Sequence, residues 1–272
     1  MVSSRVVDPQ YLKHQYGTAE RLRIRQEAHR LYSETTTDFA GWLFGLLDAQ
    51  PGDLLLDVGC GPGTFSPRLR TRGVTIVALD ASLGMVKEVQ AQGEAAQLPA
   101  QADAQALPIA SASCNRVMAN HMLYHVPDQL AALREMRRVV KPGGRVLISA
   151  NAAGNHAELL DLHEAAAAQL GMAALPGTDH RFNTGDGERV RSVFPTAVLH
   201  DQHNAFAFPT TESALAYYAS GIIELVDPPP ADDSYKSHLL AILGERIDAI
   251  IAKEGVFRVY KGVGAFVADV EV

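Results

Sequence analysis

Glycine recurs at alternate positions in Asp57-Val58-Gly59-Cys60-Gly61-Pro62-Gly63, directly after the apolar run Leu54-Leu55-Leu56. Residues without a Cβ at that place let the backbone turn sharply and come into contact with a ligand. The spacing is GxGxG, not the GxGxxG of dinucleotide sites, and an ionised Asp57 would repel a pyrophosphate. A loop of this kind suits a cationic ligand. About twenty residues on, Leu79-Asp80 ends a second apolar run with a carboxylate able to accept two hydrogen bonds from a ribose diol. Ala102-Asp103-Ala104 ends a third, with a carboxylate able to accept from an exocyclic adenine amine. A fourth run, Val117-Met118-Ala119, leads into Asn120, His121 and His125. Histidine is the side chain that takes up a proton near neutral pH.

Those groups need a frame that holds them along one edge. From Leu54 the chain alternates short apolar runs, at 54–58, 75–79, 116–119 and 145–149, with helical patterns from 65, over 83–92 and over 129–140. Strands apolar on both faces and separated by helices belong to a parallel sheet covered on both sides, which makes the fold class α/β and doubly wound. Two helices, 18–33 and 39–49, precede it. After Ala150 helices are expected over 156–170, 211–220 and 234–253, with a strand inside 197–208. The β-branched tail around Lys261-Gly262 suggests a terminal hairpin or edge strand. Lys141-Pro142-Gly143-Gly144 reads as a turn, and Asp128 as a helix cap. The expected organisation is one domain in three parts. Residues 1–49 form an N-terminal helical lid, 50–150 plus 256–272 a cofactor-binding core, and 151–255 later core elements and helical substrate-cover insertions.

Composition narrows the partners. The 272 residues are 47% hydrophobic and 20% charged, as in ordinary globular proteins. No charge-free run approaches the ~20 apolar residues that span a bilayer. The first residues lack a signal-type apolar stretch, so a cytoplasmic location is expected, with no membrane partner. Cys60 and Cys114 have no CxxC or histidine neighbour at metal spacing, so neither a disulfide framework nor a metal site is expected. A net charge of -7 disfavours nucleic acid. The one basic concentration, Arg21, Arg23, Arg25 and Arg30, is interleaved with Glu20, Glu27 and Glu34 and reads as a solvated helical face.

Taken in order, LLLDVGCGPG, VALD, ADAQALP, VMANHMLYHVPD and VVKPGGRVLIS resemble successive motifs of the class I S-adenosylmethionine-dependent methyltransferases. The similarity runs from Leu54 to Ser149 and is greatest to the small-molecule subgroup that includes the ubiquinone and menaquinone biosynthesis enzymes. It implies a mostly parallel, seven-stranded Rossmann-like sheet with an antiparallel terminal strand and a helical cover. It also implies S-adenosyl-L-methionine as cofactor. Asp57, Gly59, Gly61 and Gly63 would face its methionine part, Asp80 its ribose hydroxyls, and Ala81 and Met85 would flank adenine. Asp103 with the Ala104 amide would read the adenine edge, and the Asn120 backbone carbonyl would sit under the methionyl ammonium. Tyr11 and Tyr16 look like the aromatic residues that close over the cofactor in related enzymes.

A sulfonium methyl is already activated, so alignment is the protein's main contribution and supplies ~7 to 11 kcal/mol of the barrier. His121 and His125 are the candidate bases; His156, His163 and His180 fall in the cover. Asn120-His121-Met122-Leu123 stands where methyltransferases of base or amide nitrogens carry Asn-Pro-Pro-Tyr or Asp-Pro-Pro-Tyr. The aromatic residues Phe182, Phe194, Phe206, Phe208, Tyr217 and Tyr218 suit an apolar acceptor or a core equally well. The expected function is biosynthetic methyl transfer to O, N or C of a small organic metabolite. The alternatives are a cofactor-binding protein or cyclase that has lost methyl transfer and, more remotely, a nicotinamide oxidoreductase.

Overall fold

The structure is a computed structural model that describes residues 19–93, 97–175, 181–227 and 232–271. The chain divides into two compact units.

The sheet unit comprises Thr37–Ala152, Arg181–Gln202 and Val263–Val272. Strands β1 (Leu54–Val58), β2 (Thr75–Asp80), β3 (Gln97–Gln101), β4 (Cys114–Asn120) and β5 (Val140–Asn151) are parallel. With β7 (Val198–Phe208) and β9 (Phe257–Asp269) they form one sheet in the order β3-β2-β1-β4-β5-β9-β7. The period-two alternation of strand side chains explains why the runs are apolar throughout. Leu56, Val58, Val117, Ala119, Val146, Ile148 and Phe266 go to one core cluster, and Leu55, Ile76, Ala78, Met118, Leu147 and Ala265 to another. The helix Gln129–Val139 buries Leu133 and Met136 in the first and starts at Asp128, whose carboxylate accepts from Ala131 N at 2.9 Å. The strand order reverses at β1, whose neighbours are β2 and β4; in doubly wound sheets ligands bind outside the carboxyl ends at such a point.

Several expectations are corrected here. The tail is neither hairpin nor edge: β9 is one continuous strand inside the sheet, antiparallel to β5 from Arg145↔Asp269 to Asn151↔Val263. Lys141-Pro142-Gly143-Gly144 lies within β5, opposite a register shift between Cys114 and Arg116. A Cβ on Gly144 would come within 2.8 Å of the Asn115 carbonyl, so glycine lets the two backbones meet. The third strand ends at Gln101, which leaves Asp103 on the loop beyond it. The helix Phe39–Leu47, assigned above to the lid, buries Leu43, Phe44 and Leu47 in the sheet core. Residues 181–195, expected in the cover, place Phe182, Val190 and Phe194 there too.

The helical unit comprises Met1–Thr36, Ala153–His180 and His203–Gly262. Helices Ala19–Tyr32, Ala157–Gln169, Thr211–Ala219 and Ser234–Glu254 surround a core of Leu159, Phe206, Phe208, Tyr218, Leu239, Leu243 and Ile247. Strands β6 (Ala173–Ala174) and β8 (Val226–Asp227) form a small antiparallel ribbon that the sequence pattern did not indicate. The arginine-rich helix is not uniformly solvated. Arg23 and Arg30 are exposed, but Arg21 and Arg25, one helical turn apart, share the inward side with buried Ala28. Arg21 donates to buried Glu224 at 2.8 Å, and Lys236 approaches the same carboxylate at 3.5 Å. Among the described residues no helix is long and apolar enough to cross a membrane.

The interior position of β9 yields a prediction. Phe266 is 1% exposed, so Phe266→Ala is expected to destabilise the protein by about 3–5 kcal/mol in urea unfolding. A loss below about 1 kcal/mol would return the tail to the sheet edge.

Candidate functional site

The glycine turn that follows β1 is built around backbone conformations that other residues adopt at a cost. Gly59, Gly61 and Gly63 have φ of 69°, 53° and 75°. A Cβ on Gly59 would stand 2.7 Å from Met122 Cβ, so the turn sits directly on the segment leaving β4. A Cβ on Gly61 would meet nothing within 4 Å; its face of the turn is open. The turn is tied to β2 by Gly59 N and Cys60 N, which donate to Leu79 O at 2.7 and 3.0 Å. Gln92 Nε2 donates to Pro62 O at 2.8 Å from the other side.

Asp80 closes the same turn. Its Oδ2 accepts from Gly61 N at 2.9 Å and its Oδ1 from Ser82 N at 2.8 Å. A carboxylate offers about four acceptor directions, so two remain for hydroxyl donors. Ser82 then caps the helix Leu83–Ala91, in whose first turn Met85 lies half-buried, while Ala81 is exposed. Past β3, Asp103 Oδ1 accepts from Gln105 N at 2.8 Å, and Ala104 is buried. All these residues lie at the carboxyl edge of β1, β2 and β3.

Asp57 is the unusual member. It is 1% exposed, and its Oδ2 has no hydrogen-bond partner among the described residues. Burial, reinforced by the nearby Asp80 charge, pushes its pKa up to about 8. On the next strand end, buried Asn120 accepts from Ser149 Oγ at 3.1 Å through Oδ1, and its Nδ2 has no partner among the described residues. The sequence pattern marked only the backbone of Asn120; no spacing announces its side-chain donor. Orphaned polar atoms in a packed core are rare and point to a missing partner. A buried acid beside an open glycine turn, ready to give up its proton when a cation arrives, fits a ligand that carries a positive charge.

His121 follows with φ 50°, its backbone N donating to Ser149 O at 3.1 Å and its ring 5.7 Å from that of Phe39. Desolvation pushes its pKa down to about 4, so it is neutral at pH 7 and a weak proton acceptor. His125 ends the short turn Leu123–His125, edge-on to Tyr124 at 4.5 Å. His163 is core: Nδ1 accepts from Tyr218 OH at 2.7 Å and Nε2 donates to Leu225 O at 2.8 Å. Tyr11, Tyr16 and His180 lie outside the described residues. Phe182 and Phe194 belong to the sheet core, and Phe206, Phe208, Tyr217 and Tyr218 to that of the helical unit. Among the described residues no three histidine, cysteine, aspartate or glutamate side chains are grouped to hold a metal ion.

Comparison with known proteins falls on the same stretch. Residues 56–148 match the methyltransferase domain model. The chain is 39% identical over 119 residues to a malonyl-[acyl-carrier protein] O-methyltransferase of Serratia marcescens, covering 44% of this chain and 46% of that one. It is 37% identical over 120 residues to a demethylmenaquinone methyltransferase of Beutenbergia cavernae, covering 44% and 47%. In both cases the match spans about half the relative's length. The fold superposes on a putative methyltransferase from Bacillus halodurans with a TM-score of 0.59 and 16% identity, covering 87% of this chain and all of that one.

The raised Asp57 pKa fixes the sign of a pH effect. Between about pH 4 and 8 the folded protein keeps a proton that the unfolded chain has lost, so stability falls as pH rises through that window. Asp57→Asn removes this contribution. Urea unfolding at pH 5 and pH 8 should show a smaller loss for the variant than for the wild type; equal losses would refute the assignment.

Proposed function

We propose that this chain is a class I methyltransferase that transfers a methyl group from S-adenosylmethionine to O, N or C of a small organic metabolite. The observation that carries the reading is the sealed Asp57 carboxylate with one oxygen unpaired, at the mouth of an open glycine turn. In this reading Asp57 and the Asn120 carbonyl hold the methionyl ammonium, and Gly59, Gly61 and Gly63 admit the chain of the cofactor at backbone distance. Asp80 takes the ribose hydroxyls with its two remaining acceptor directions. Ala81 and Met85 flank adenine, and Asp103 with Ala104 reads its edge. The bound sulfonium supplies an activated methyl group, and the protein's part is in-line alignment and removal of the acceptor proton.

Proton removal falls to His125 in preference to His121, because burial makes His121 a poor acceptor at neutral pH. A net charge of -7 supports a small molecule over nucleic acid as the acceptor, and we take the compartment to be the cytoplasm.

Calorimetric titration tests the cofactor assignment. S-adenosylmethionine and S-adenosylhomocysteine are expected to bind at micromolar level, NAD(H) not at all, and Asp80→Ala to abolish binding while the protein stays folded. Binding of NAD(H) in their place would sink the reading. In a methyl-transfer assay His125→Ala should lower turnover by about 10²–10⁴-fold at unchanged cofactor affinity. A larger loss in His121→Ala would reverse the preference between the two histidines.

A further inference from the structure

The helical unit holds a cluster of titratable side chains that the methyl-donor site does not use. Its floor is Phe206, fully buried on β7. The Tyr217 ring lies 4.8 Å from it, the His156 ring is stacked on it at 6.0 Å with 11° between planes, and Lys261 Nζ stands 4.3 Å from its centroid. Lys261, on β9, is 9% exposed. Its ammonium donates to Ser33 Oγ and, at 3.1 Å, to His29 Nδ1, and among the described residues it pairs with no carboxylate. The ring face compensates only part of the lost hydration, and burial draws the lysine down to about 8.

A relay sets the polarity of Tyr217. Gly262 N donates to Asn155 Oδ1 at 2.9 Å, which leaves Asn155 Nδ2 to donate to His156 Nδ1 at 3.3 Å. His156 is neutral, pushed down to about 4 by burial and by the Lys261 charge, so its single ring proton sits on Nε2. That proton is donated to the Tyr217 hydroxyl oxygen at 2.9 Å. Burial keeps the phenol protonated, and its own proton has no acceptor among the described residues. His156 is held for this role in a left-handed conformation, φ 62°, with its backbone N donating to Tyr260 O at 2.9 Å. A charged donor and a directed neutral donor thus meet one aromatic ring, and among the described residues no carboxylate answers them.

We propose that Lys261 and Tyr217 form a binding site for an organic oxyanion, a carboxylate or a phenolate oxygen.

The test is calorimetry on the full chain at pH 7 with sodium benzoate, 4-nitrophenolate and the neutral benzamide. At least one anion is expected to bind at least tenfold more tightly than benzamide. Benzoate binding marks a carboxylate site, and nitrophenolate binding a phenolate site. Lys261→Met and Tyr217→Phe should each weaken the bound anion at least tenfold, and Lys261→Arg should retain it, with circular dichroism and thermal unfolding reporting on the fold. Binding of neither anion, equal affinity for benzamide, or unchanged affinity in both variants overturns the proposal. Titration of the same protein with S-adenosylhomocysteine separates the two readings. If it binds while the anions do not, this inference alone falls; if the anions bind while it does not, the anion site stands and the methyl-donor reading falls.

Discussion

A carboxylate sealed at the end of β1 with one oxygen unpaired is the constraint around which the site is organised. Taking a charged group out of water is unfavourable unless a partner replaces the lost hydration. Among the described residues Asp57 has no such partner, and it carries the Asp80 charge as an additional burden, which is why it holds its proton to about pH 8. The glycine turn beside it is also held in conformations that only glycine adopts easily. Both features are unfavourable for an isolated fold. Both become sensible if a cation enters and settles against the carboxylate.

The sheet makes that arrangement rigid. Five parallel strands bring Asp57, Asp80, Asp103 and Asn120 to one edge, because parallel connections return each strand through a helix to the same end. Side chains alternate between two core clusters, so each strand is locked on both faces and its last residue has little freedom. Asp80 shows the economy of the design: its carboxylate fastens Gly61 and Ser82 and still keeps acceptor directions for a ligand.

The helical unit presents the opposite sign. Among the described residues, the sheet unit buries the Asp57 acid without a cation beside it, and the helical unit buries the Lys261 ammonium without a carboxylate. Glu224 shows how such a charge looks when it is structural: Arg21 and Lys236 both reach it.

The sheet edge was legible in the residues because its signals are local: apolar runs with period two, glycines at alternate positions, and carboxylates at strand ends. Each depends on a few neighbours along the chain, so reading it needs no knowledge of the fold. The misplaced elements, the interior β9, the inward Arg21 and the core helix Phe39–Leu47, depend on what lies across space, and an apolar tail reads alike at an edge or in the middle of a sheet. Sequence by itself therefore determined the doubly wound fold and the order of polar groups along the carboxyl ends of β1 to β4. Tertiary structure alone decided that Asp57 lacks a partner among the described residues, and that His156, Phe206, Tyr217 and Lys261 meet, since residues on separate elements carry no common spacing until packing brings them together.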